Sequence, residues 1–111
     1  DVNNEEKFSS EQDTPYNEKL SWFLDEYVEH VSVNLYDYFP KKNDAQIADS
    51  VLELFRKRDN IDIFNKKALY VYLHEMVPEA KTPKITKIAG SLYKIFKKRY
   101  QFYLENDYID F

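Results

Sequence analysis

The stretch KTPKITKIAGSLYKIFKKRYQFYLENDY, residues 81 to 108, decides the fold, because it combines a helix start, a long helical period and two opposed faces. Thr82 offers a side-chain oxygen to the first free N–H groups, and Pro83 follows at a position where a missing donor does no harm. Ile85, Ile88, Ala89, Leu92, Ile95, Phe96, Tyr100 and Tyr103 then recur at steps of three and four, the stripe that an amphipathic helix buries. Lys84, Lys87, Ser91, Lys94 and Lys98 recur in the same way on the other side, within an arc about 80° wide at roughly 100° per residue. A helix with one wall buried and the other lined with lysine is suited to lie along something anionic. A simply solvated charged face is the plainer reading of the same pattern.

Upstream, Asn65 caps a helix running from Lys66 to about Val77, with Ala68, Leu69, Tyr72, Leu73 and Met76 as its apolar set and Pro78 closing it. Before it, Ile61, Ile63 and Phe64 alternate with polar residues and read as one short strand or an extended connector. Asn43, with Gln46 three residues on, makes a weak capping box for a helix over 44 to 58 that buries Ile47, Ala48, Val51, Leu52 and Phe55. Its closing triplet Arg56, Lys57 and Arg58 complements the helix dipole.

Thr14 and Pro15 repeat the cap-then-proline signature and open a helix expected to reach Phe39 before Pro40. Its inner face is Leu20, Phe23, Leu24, Tyr27, Val28, Val31, Leu35 and Tyr38 or Phe39; Asp25, Glu26, Glu29 and Asp37 stay wet. Trp22 falls beside this face as a core or interface anchor. Residues 1 to 13 are polar, acidic and aperiodic, the pattern of a flexible tail.

Composition agrees with an all-α chain. The 111 residues include one glycine, too few for turns that need positive φ, and 10 tyrosines and 8 phenylalanines that supply apolar area. They suffice for one domain, read as a tail over 1 to 13 and a helical body over 14 to 111, in which 14 to 39 is an accessory helix. The absence of cysteine excludes disulfides and thiolate chemistry and fits a cytoplasmic protein, and no apolar run reaches the roughly 20 residues that span a bilayer. His30 and His74 lack companions at ligand or catalytic spacing, and no nucleophile motif or phosphate loop is present, so no enzyme, cofactor or metal is expected. The abundance of Asn, Lys, Tyr, Ile and Phe is of the kind coded by AT-rich genomes, as in many phages.

The net charge of −4 hides an asymmetry: residues 1 to 40 hold ten acids against Lys7 and Lys19, whereas residues 41 to 104 hold 14 bases against seven acids. An acidic total therefore does not exclude a nucleic-acid partner, which meets only a local face.

In order, VLELFRKRDN, the extended IDIF, NKKALYVYLHEM, the turn VPEAKTP, KITKIAGSLYKIF and YLENDYID make residues 43 to 109 resemble the helix-turn-helix superfamily, in particular winged-helix DNA-binding domains. The turn carries no glycine, and the sequence reaches Phe111 with no room for a two-stranded wing. The resemblance therefore implies a trihelical variant with a long last helix, on which the helix over 14 to 39 packs. It also implies duplex DNA as partner. Base-facing positions would be Lys81, Thr82, Lys84, Ile85, Thr86 and Lys87, and phosphate contacts Lys66, Lys67, Lys94, Lys97, Lys98 and Arg99, with internal pairing an equal alternative for Arg99. Ser91 lies within the same stripe. The function expected is that of a DNA-binding regulatory or packaging protein; the alternative is a helical interaction or viral structural module. The 15 to 39 helix is the expected site of homodimer or other protein contacts.

Overall fold

Helical periods produce helices: among the described residues the chain forms α1 (Glu18–Val33), α2 (Leu35–Tyr38), α3 (Lys42–Arg56), α4 (Lys66–Met76) and α5 (Thr82–Asn106), and no strand. The computed structural model describes residues 18 to 60 and 65 to 111. The acidic tail expected over 1 to 13, the Thr14 and Pro15 helix start and the short strand expected within 61 to 64 lie outside the described residues.

The hub is α3, which touches each of the other four helices. Ile47, Ala48, Val51, Leu52 and Phe55 are buried as their period implies, and Ala45, Ser50 and Leu54 are buried as well. A helix surrounded by neighbours hides more than one stripe, and its small residues Ala45, Ala48 and Ser50 let those neighbours approach. Ser50 solves its own polarity by donating its hydroxyl to the Gln46 carbonyl at 3.0 Å.

The start of α3 differs from expectation. Its N-cap is Lys41, in extended conformation and without a side-chain cap, so Asn43 lies inside the helix and no capping box forms. The first turn instead carries the carboxylate of Asp44, which suits the positive end of the helix. Asn65 does cap α4, accepting from the Ala68 N–H at 3.1 Å.

The first helix is not continuous to Phe39. It breaks at Asn34, whose side-chain amide donates to the His30 carbonyl at 2.9 Å, beside the Asn34 N–H at 3.1 Å. Such local side-chain bonding competes with helix propagation, and the chain resumes as the single turn of α2 before Pro40. The buried face of α1 is Phe23, Leu24, Tyr27, Val28 and Val31, as read from the sequence. Two polar ties fix α1 in place. The Tyr27 hydroxyl donates to the Leu92 carbonyl at 2.7 Å. Arg58 donates to the Asp25 carboxylate at 2.6 Å and to the Ser21 carbonyl at 3.1 Å. The Arg56 to Arg58 triplet acts both ways: Arg56 also reaches the Ser32 hydroxyl, while Arg56 and Lys57 pair with Glu53 and Arg58 donates to the Phe55 carbonyl at the end of α3.

An aromatic cluster joins α1 to α5. Phe23 lies 5.6 Å from Phe96, 5.1 Å from Tyr100 and 5.3 Å from Tyr103. Asp107, in left-handed conformation at φ 66°, ends α5 and turns the following residues back, so that Phe111 stacks on His30 at 4.4 Å. Arg99 holds this return by donating to the Asp110 carbonyl at 3.0 Å, which makes its role internal. His30 therefore sits half-buried against an aromatic ring, its Nε2 2.7 Å from the Tyr38 hydroxyl.

Burial, and after it the Arg99 guanidinium, holds the His30 pKa below its ordinary value. The unfolded chain takes up this proton at higher pH than the folded chain, so stability is complete above about pH 6.5 and falls as the pH drops toward the folded value. Thermal melts across about pH 7 to 5.5 should show that fall, and His30→Gln should flatten it. Equal pH dependence in the two proteins would assign the effect to other groups.

Candidate nucleic-acid interface

A long helix with a buried stripe must turn its opposite wall outward. In α5, Ile85, Ile88, Leu92 and Phe96 are buried, while Lys87, Lys94, Lys97 and Lys98 are exposed and Ser91 is half-buried. The four lysines fall within an arc about 100° wide at roughly 100° per residue. None of them forms an ion pair among the described residues. This wall presents four cationic heads with no acid among the described residues neutralising them.

The remaining candidates are placed differently. Lys84, the first member of the lysine stripe, pairs with Asp44 of α3 at 3.2 Å, because the starts of the two helices meet there. Lys81 and Lys84 line a cleft of about 250 Å³ over Ile47 and Val77, away from the outer wall. Thr82 is not the cap: Lys81 is, and Thr82 opens the helix with Pro83 behind it. The Thr82 hydroxyl lies 3.0 Å from His74 Nε2, and the Thr86 hydroxyl lies 2.7 Å from the Tyr70 hydroxyl. Both therefore fasten α5 to α4. Lys66 and Lys67 are exposed at the start of α4, with the Lys66 ammonium 6.0 Å over the Tyr70 ring.

Compared with known protein families, curated proteins and solved structures, the chain matches none. The wall is therefore read from its own residues. Within its arc, between Lys87 and Lys94, stands Gly90, the chain's single glycine, and a Cβ placed there would meet nothing within 4 Å. Glycine in a helix interior costs about 0.5 to 1 kcal/mol relative to alanine. Gly90→Ala should therefore stabilise the chain by that amount in urea unfolding; a loss instead would mean that α5 departs from regular helix at this point. Nothing within the fold requires this glycine.

Among the described residues no group of His, Cys, Asp and Glu could hold a metal ion, and no helix is long and apolar enough to cross a membrane.

Proposed function

We propose that the chain binds duplex DNA by laying the outer wall of α5 along the phosphate backbone, with α3 to α5 serving as a helix-turn-helix unit. The observation that supports this is the set of exposed Lys87, Lys94, Lys97 and Lys98, without an ion pair among the described residues, on one wall of a 25-residue helix. Lys84, Thr82 and Thr86, which would read bases, already have partners within the molecule. Contacts to phosphate position a protein without specifying sequence. The reading is accordingly of a packaging or architectural binder more than of a regulator with a defined operator.

Fluorescence anisotropy with random duplex across a salt series tests it. Four phosphate contacts give a slope of log K against log salt of about −3.6. Lys94→Gln with Lys98→Gln should reduce that slope by about 1.8 and weaken all sequences alike. No binding at low salt, or a slope unchanged in the double variant, would refute the proposal.

A second reading, a helical protein-interaction module, is favoured by Trp22, Val33 and Tyr36, which leave 48%, 71% and 61% of their surface exposed on α1 and α2. Large apolar groups displayed together with acids suit a protein surface more than a nucleic acid.

A further inference from the structure

The outer walls of α1 and α5 carry one spacing in opposite charge. On α1 the exposed acids Glu18, Asp25 and Glu29 follow at steps of seven and four; on α5 the exposed lysines Lys87, Lys94 and Lys98 follow at steps of seven and four. Seven and four residues are close to two turns and one, so each triplet runs along one line of its helix and rises about 16 Å from first to last. Reversing one helix would turn seven-then-four into four-then-seven. All three pairs therefore meet only when the helices run parallel.

In that parallel register Trp22 falls opposite Ser91, next to Gly90. Trp22 is 48% exposed although its ring lies 5.6 Å from Tyr103. Gly90 leaves an opening in which a Cβ would meet nothing within 4 Å. A knob among acids thus faces a gap among lysines, and the four-three-four spacing keeps each set on one line of its helix, so that the two lines can lie side by side.

We propose that α1 of one copy docks parallel on the lysine wall of α5 in a second copy, pairing Glu18 with Lys87, Asp25 with Lys94 and Glu29 with Lys98 around Trp22. Asp25 already accepts from Arg58, but 63% of its side chain remains exposed, which leaves it open to a second cation. Because α5 turns Phe96 and Tyr103 toward α1 and its lysines away, the two walls lie on different sides of each copy. Docking is then head to tail, and a free wall remains at each end. Exposed ion pairs are individually weak and screened by salt, so the association is concentration-dependent and salt-sensitive. It occupies the lysines assigned above to DNA, but it does not rest on that assignment.

Sedimentation velocity of the full chain tests the proposal. At low salt the mean mass should rise with concentration, and at about 0.5 M salt, where the Debye length is only a few ångströms, it should return to that of one chain. Glu18→Lys with Glu29→Lys should remain monomeric, and so should Lys87→Glu with Lys98→Glu; circular dichroism checks that both are folded. Mixed together, the two variants should associate, because each supplies the wall that the other lacks. Trp22→Ala should weaken association about tenfold. A wild type that is monomeric at every concentration, a reversed variant that associates like wild type, or a mixture that stays monomeric overturns the proposal. The two readings fail separately: Glu18→Lys with Glu29→Lys removes self-association and keeps the lysine wall intact for duplex DNA.

Discussion

Replacing Phe23 by alanine should destabilise the chain by about 3 to 5 kcal/mol. The side chain is fully buried and is ringed by Phe96, Tyr100, Tyr103 and Phe111, with centroids 5.1 to 5.9 Å away. No neighbouring element can collapse into the space, because those rings belong to α5 and to the segment returning from it, both fixed elsewhere. Domains of this size have total stabilities of about 5 to 15 kcal/mol, so the loss would consume roughly a fifth or more of the margin. Urea unfolding followed at 222 nm measures it directly. A cost near 1 kcal/mol would mean that the aromatic cluster is loosely packed. The chain returning as far as Phe111 adds a check: Phe111→Ala should weaken the same cluster by less, since that residue is only partly buried.

Why was so much of the fold readable from the residues, and the remainder not? Periodicity reports which residues of a helix turn inward, and it held for α1, α3 and the inner stripe of α5, whose apolar residues follow one line each. It was less informative for α4: Leu69 and Leu73 are buried, but Tyr72 and Met76 are 38% and 39% exposed. A short helix docked on one side of α3 needs only two anchors, and the rest of its apolar set stays outside. Periodicity also made α5 the organising element, whereas α3 is the hub. The apolar stripe of α3 is plain in the sequence, but the residues that widen its buried face, Ala45 at one edge and Ser50 and Leu54 at the other, lie outside that stripe.

The candidate wall was legible as a lysine pattern, and its limits were not. Charge periodicity cannot say which lysine meets an acid of another helix; Lys84 does so only because the starts of α3 and α5 converge. Nor can a threonine near a helix start be known as a cap or a clasp before its neighbours are placed. Thr82 and Thr86 both find partners on α4, His74 and Tyr70, that lie eight and 16 residues away in sequence. Long-range pairing of this kind subtracts from the candidate surface, and what is left over on α5 is Lys87, Lys94, Lys97 and Lys98.

Leu92→Ala should cost about 2 to 5 kcal/mol, whereas Ser91→Ala, one residue earlier, should change stability by less than about 0.5 kcal/mol. The contrast follows from a rotation of about 100° per residue: Leu92 is fully buried, and Ser91 stands at the lysine wall. Leu92 is also the point where α1 is tied to α5, since its carbonyl accepts the buried Tyr27 hydroxyl at 2.7 Å. Emptying the space beneath that carbonyl loosens a helix whose other side carries the lysines. The variant should therefore lose stability and, under the DNA binding proposed above, lose salt-dependent affinity when warmed toward its lowered midpoint, while Ser91→Ala keeps both. Parallel melts and anisotropy titrations on the two variants decide the matter. Equal stabilities would mean that the inner and outer walls of α5 are assigned the wrong way round, and with them every residue placed on the lysine wall.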